Sequence, residues 1–127
     1  MTTAVRVSDK LAREARRVSA VESRKRYLLS GLRSSSSRIW VDEGAARALR
    51  RSGSLLPVGI TRIEGEFERG DTVRVLSPSA KEIALGMVNY TSRDVLTCAG
   101  HKSAEIESLL GFTFGDEMIH RNNLLLL

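Results

Sequence analysis

The 127 residues include one cysteine, two prolines, two histidines and one tryptophan, and aromatic side chains make up only 5%. A lone thiol forbids an intramolecular disulfide, and Cys98 with only His101 and His120 cannot supply the four ligands of a structural zinc site. A reducing cytoplasm is the expected location. Long apolar runs are also missing. Nothing approaches the roughly 20 apolar residues of a membrane span, and the opening "MTTAVRVSDKLAREARR" puts charges where a signal peptide needs its apolar core. No membrane partner is therefore expected. The phosphate loop G-x-x-x-x-G-K-S/T, the dinucleotide fingerprint G-x-G-x-x-G and the nucleophile elbow G-x-S-x-G are all absent. No catalytic residue, cofactor or metal is assigned.

What is present is charge, unevenly placed. The net charge is +5 and the pI about 10.0, a balance that invites a nucleic-acid partner. Met1 to Arg38 carries ten Lys and Arg against three Asp and Glu, whereas the remaining 89 residues carry ten against twelve. The basicity is an N-terminal property. A broad positive platform on the globular body is disfavoured, although a local basic patch is not.

The apolar pattern divides the chain in the same place. "SDKLAREARRVSA" sets Leu11, Ala15 and Val18 on one helical stripe behind Ser8, and "ESRKRYLLSGL" (Glu22 to Leu32) reads as a second short helix. "RSSSSR" (Arg33 to Arg38) has linker composition. Residues 1–37 are expected to form a basic helical leader and linker, and residues 38–127 the folded domain.

Within the domain, "RIWV" reads as a strand and "DEGAARALRRSG" as a helix, with Asp42 and Glu43 at its start, Arg50 and Arg51 in its last turn and Gly53 behind it. "LLPVGITRIEG" (Leu55 to Gly65) and "TVRVLSP" read as strands joined by the charged turn "EFERGD". In that turn Gly70 supplies positive φ and Asp71 binds local amides. Leu55, Leu56, Val58, Ile60, Val73 and Val75 are expected in the core. "KEIALGMVNY" reads as an alternating strand, "TSRDVLTCAG" and "KSAEIESLLG" as short helices, and "EMIHRNNLLLL" as a closing strand. The order β-α-β-β-β-α-α-β predicts a small mixed barrel in place of alternating βαβ units.

Each chemical candidate has a plainer explanation. The carboxylates of "EGEFERGD" suit a solvated turn better than a metal site, and Asp42 and Glu43 complement a helix dipole better than they form an acid/base pair. Asp116 and Glu117 read as loop charges. Cys98 inside a helix reads as a small buried hydrophobe, His101 as a turn residue and His120 as a packed strand histidine.

Taken together, "VDEGAARALRRSGSLLPVGITRIEGEFERGDTVRV", "EIALGMVNY", "KSAEIESLLG" and "IHRNNL" resemble the PUA domain, in the form found at the C-terminus of bacterial glutamate 5-kinases. The resemblance covers about Ile39 to Leu125, and "ESRKRYLLSGL" is similar to the junction between kinase and PUA domains. It implies an α+β, mainly β, PUA-like pseudo-barrel with short helices, preceded by an N-terminal helical leader. It also implies structured RNA as a partner, met by the first helix, the next strand and the last strand. On this sequence those elements hold Gly44, Arg47, Arg50, Arg51, Leu56, Pro57, Val58, Gly59, His120, Arg121 and Asn122.

Glutamate 5-kinases phosphorylate the γ-carboxylate of glutamate in proline synthesis, with their substrate sites in a separate kinase domain. About 38 residues upstream cannot hold that domain. The chain is then either a piece of such a kinase or a free-standing PUA protein with its own leader. The competing expectation is a non-RNA-binding regulatory or oligomerisation domain, partnered by a kinase domain or by a second copy through Leu11, Ala15, Val18, Tyr27, Leu28 and Leu29 of the N-terminal helices.

Overall fold

The computed structural model describes residues 37–127. The two helices expected before Ser37, and the leader they were to form, lie outside the described residues.

Strand β1 (Arg38–Val41) leads into helix α1 (Glu43–Arg50). Asp42 caps that helix by accepting a hydrogen bond from the Ala45 amide at 2.7 Å, the interaction that makes Asp a preferred N-cap. A 3-10 turn (Pro57–Gly59) precedes β2 (Ile60–Glu64), and β3 (Thr72–Leu76) and β4 (Glu82–Met87) follow. Helix α2 (Ser92–Cys98) is capped by Thr91. A second 3-10 turn (Ser103–Glu105) runs into α3 (Ile106–Leu110), which ends at Gly111 with φ +84°. A third (Arg121–Asn123) opens β5 (Leu124–Leu126).

The strands form one mixed sheet in the order β2-β1-β3-β4-β5, with only β1 and β3 parallel. The sheet curls back on itself. The segments leading into its two edge strands meet at Leu55 and Ile119, where the Leu55 amide donates to the Ile119 carbonyl at 2.9 Å and the Met118 amide to the Leu55 carbonyl at 2.8 Å. Gly86 in β4 permits this closure, because a Cβ there would stand 2.8 Å from Ile119 Cγ2. Inside the curl, Ile39, Val41, Val73 and Val75 pack with Ala46 and Leu49 of α1, Val95 and Cys98 of α2, and Ile106 of α3. Apolar burial on that scale is the main force holding so small a sheet closed.

Several local expectations need correction. The strand expected over Leu55 to Gly65 begins only at Ile60, because Pro57 has no amide to give a ladder and starts a 3-10 turn. That turn throws Leu56 and Val58 outward, to 41% and 50% exposure, so neither belongs to the core. The closing strand is similarly broken: His120 accepts a hydrogen bond from the Asn122 amide at 3.1 Å and caps a 3-10 turn in place of lying in a ladder. At the end of α1 the left-handed residue is Ser52, with φ +66°, and Gly53 serves close approach, since a Cβ there would meet the Ala48 carbonyl at 2.8 Å. Strand β4 is buried from Ile83 to Gly86 without alternating. The register of β3 and β4 shifts between Val75 and Leu76, which turns Ile83 into the core beside Ala84.

The β2–β3 connection behaves as its sequence indicates. Gly65 and Gly70 have φ of +88° and +96°, and the Asp71 carboxylate accepts from the Glu68 amide at 2.8 Å. Yet β2 and β3 are not neighbours, because β1 lies between them. Among the described residues no helix is long and apolar enough to cross a membrane.

Candidate nucleic-acid interface

The broken start of β2 leaves a cleft beside α1. Between α1 and the Pro57–Gly59 turn lies a cleft of about 310 Å³, lined by Asp42, Gly44, Ala45, Ala48, Ser54, Leu56, Val58 and Gly59. Its walls are set by sequence. A Cβ on Gly59 would fall 2.5 Å from the Ala45 Cβ, so only glycine lets the turn lie against the helix, where the Gly59 carbonyl accepts from the Asp42 amide at 2.9 Å. Pro57 is buried beneath, and its carbonyl accepts from the Gly100 amide at 2.8 Å, tying the turn to the end of α2. At Gly44 an added Cβ would meet nothing closer than the Asp42 carboxylate at 3.4 Å. The absence of a side chain there leaves the helix backbone accessible.

The third element joins at Ser54, whose Oγ accepts from the Arg121 amide at 2.8 Å. The start of the last strand is thereby fixed to the rim. Of the residues expected to meet RNA, Gly44, Leu56, Val58 and Gly59 line the cleft, Pro57 supports it, and Arg121 is joined to it through Ser54. Asn122 and His120 are local to the same 3-10 turn, with His120 Nδ1 occupied as an acceptor. Arg47, Arg50 and Arg51 lie exposed towards the far end of α1 and outside the cleft lining. Arg50 Nη1 stands 3.8 Å from Glu43, whereas among the described residues Arg47, Arg51 and Arg121 have no ion pair.

Asp42, Ala45, Ala48 and Ser54 also line the cleft and were not anticipated as site residues. Asp42 was read as a helix-end acid, which it is, while also forming one wall. Two alanines and a serine carry no chemical signal in a sequence; the packing of α1 against the 3-10 turn brings them together. The arrangement offers apolar contact and accessible backbone with cations nearby. It contains no paired acid and base and no nucleophile beside a base.

The other titratable candidates fall elsewhere. Cys98 is fully buried, and burial, assisted by the charge of Asp94, pushes its thiol above the usual range, which is the opposite of nucleophilic activation. His101 Nδ1 stands 3.6 Å from the Glu105 carboxylate on the exposed lead-in to α3.

Comparison with known proteins gives the fold its place. Residues 37–110 match the family model of the PUA domain. The glutamate 5-kinase of Deinococcus radiodurans is 47% identical over 108 residues, covering 84% of this chain and 29% of that protein. That of Trichlorobacter lovleyi is 50% identical over 105 residues, covering 82% and 28%. The chain thus spans less than a third of the length of these curated relatives. Both alignments are longer than the described part of the chain and therefore run into residues before Ser37. Among solved structures, a PUA domain from Aeropyrum pernix K1, crystallised as a tartrate complex, superposes with a TM-score of 0.50 and 24% identity over 66% of this chain and 41% of that one, a likeness of fold alone. A curled five-stranded mixed sheet, a capped helix after its first strand and the matched span place this chain in the PUA domain family, with relatives in the glutamate 5-kinases.

Proposed function

We propose that this chain is the PUA module of a glutamate 5-kinase-type cytoplasmic protein, beginning near Ser37, and that the cleft beside α1 binds structured RNA. The carrying observation is a cleft with an open backbone at Gly44 and exposed Leu56 and Val58, to which Arg121 is joined through Ser54, with Arg47 and Arg51, which have no ion pair among the described residues, further along and just past α1. A nucleoside-sized group enters such a space against apolar walls, while arginines neutralise the flanking phosphates. Arg50 adds a fourth cation once Glu43 releases it. Phosphorylation of the glutamate γ-carboxylate belongs, on this reading, to a kinase domain outside the chain, and this domain contributes no catalytic group.

The test is titration with a labelled structured RNA at about 50 and about 200 mM salt. Four phosphate contacts predict a loss of affinity of about 50- to 150-fold over that range. Arg47, Arg50 and Arg51 changed together to Glu remove binding. Absence of binding at the lower salt refutes the RNA reading.

A second reading draws on the charge balance of the domain, ten basic against twelve acidic residues after Arg38, and on Asp42 standing in the cleft wall. On this reading the domain regulates or assembles a glutamate 5-kinase without RNA. A kinase whose rate and subunit number change when this domain is removed, and which ignores RNA, distinguishes it from the first.

A further inference from the structure

Two exposed phenylalanines stand on the loop that follows α3. Phe112 is 39% exposed and Phe114 44%, their ring centres lie 5.1 Å apart, and Leu109 at the end of α3 is exposed as well. Single exposed apolar side chains are ordinary on a protein surface, whereas an adjoining aromatic pair marks a contact surface. None of the three residues lines the cleft beside α1.

The loop is held by its backbone. The buried Tyr90 hydroxyl donates to the Gly115 carbonyl and accepts from the Phe114 amide, the Asn89 side chain donates to the Phe114 carbonyl at 2.9 Å, and the Ser103 hydroxyl donates to the Asp116 carbonyl at 2.9 Å. Phe114 also packs on the Tyr90 ring at 5.4 Å and beneath the Arg69 guanidinium at 3.8 Å. Phe112 differs: among the described residues its ring has no aromatic partner but Phe114. The hydrogen bonds that fix the loop do not need an apolar side chain at 112, and a loop already fixed presents one at little further cost in ordering.

The surrounding charge selects the occupant. Glu68 precedes Arg69, Glu107 lies on α3, and Asp116 and Glu117 follow the phenylalanines; among the described residues none of the four carboxylates has an ion pair. Against them stand Lys102 and Arg69, the latter engaged with Phe114 and with Asn89 Oδ1 at 3.2 Å. Excess negative charge repels phosphates, which disfavours nucleobases as the stacking partners. A protein segment with apolar side chains flanked by Lys or Arg complements both the rings and the carboxylates.

We propose that Leu109, Phe112 and Phe114 form a protein-docking face, separate from the cleft, whose partner is a segment bearing apolar side chains flanked by basic ones. Phe112 is its anchor, and Glu107, Asp116 and Glu117 receive the partner's cations.

The test is a titration of the full chain, followed by amide NMR, with three synthetic peptides: an amphipathic Leu/Lys helix, its Leu/Glu counterpart and a Ser/Lys control. The Leu/Lys peptide alone is expected to shift the amides of residues 107–117. Phe112→Ser should weaken it about tenfold, as for a central aromatic anchor, with the urea midpoint unchanged. Glu107→Lys/Asp116→Lys should weaken it too and flatten its salt dependence. No binding, binding unchanged in Phe112→Ser, shifts confined to other residues, or equal binding of either control peptide overturns the proposal. A single-stranded RNA that shifts the same amides also overturns it, assigning the face to nucleobases. So do loop shifts that change between about 10 and 500 μM free protein, which assign it to a second copy, or that move in the free chain when Arg13, Arg16 and Arg17 are changed to Gln, which assign it to the chain's own N-terminal residues.

Discussion

Gly59→Ala is the most direct probe of how the cleft is built. The new methyl would begin 2.5 Å from the Ala45 Cβ, where apolar carbons require about 3.5–4.0 Å. Neither atom can rotate away: one is fixed to the 3-10 turn and the other to a helix. Relief requires α1 and the turn to separate by about 1 Å, which strains the hydrogen bond from the Asp42 amide to the Gly59 carbonyl. Overpacking of this kind costs about 1–3 kcal/mol. In a domain of this size each kcal/mol lowers Tm by about 4–8 °C. Urea and thermal unfolding measure the loss directly. The double variant Ala45→Gly/Gly59→Ala removes the clash at a helix cost of about 1 kcal/mol, so it is expected to be less destabilised than the sum of the two single changes. Because the same contact sets the cleft's width, Gly59→Ala should also weaken the proposed RNA binding where Gly70→Ala, in open space on the β2–β3 turn, does not. A Gly59→Ala protein as stable as the wild type would refute the close approach on which the cleft's geometry depends.

The buried Tyr90 hydroxyl donates to the Gly115 carbonyl at 2.6 Å and accepts from the Phe114 amide at 2.7 Å, so Tyr90→Phe should cost about 1–3 kcal/mol in urea unfolding. Loss of the Asp42 cap in Asp42→Ala should cost about 1 kcal/mol by the same measurement. Cys98 has its thiol pKa raised by burial and by Asp94, so folding favours the protonated form. Its contribution is fully present below the unfolded thiol's pKa of about 8.5 and is lost as pH rises through the higher folded value. Stability of the wild type should therefore fall more steeply with alkaline pH than that of Cys98→Ala, and equal slopes would contradict the burial argument.

The glycine and cap signals acted locally, which is why they were legible. Asp42 at the start of α1, Gly111 after α3 and the Gly70-Asp71 turn each depend on backbone within a few residues. The quoted motifs also carried the family, whose model matches residues 37–110. Sequence pattern failed wherever a distant partner decided the outcome. Leu56 and Val58 read as core residues of one strand, and Pro57 with the Ala45 contact turned them into exposed walls of a cleft.

The amino-acid sequence alone determined the kind of most described elements, the glycine-bearing turns and the family, since these rest on periodicity, local hydrogen bonds and residue type. The tertiary structure decided that β1 lies between β2 and β3, that Leu55 and Ile119 close the sheet, and that Gly44, Ser54, Leu56 and Gly59 line one cleft with Arg121 hydrogen-bonded to its rim. These depend on pairings tens of residues apart, whose register is set by packing across the whole core and leaves no periodic trace in the chain.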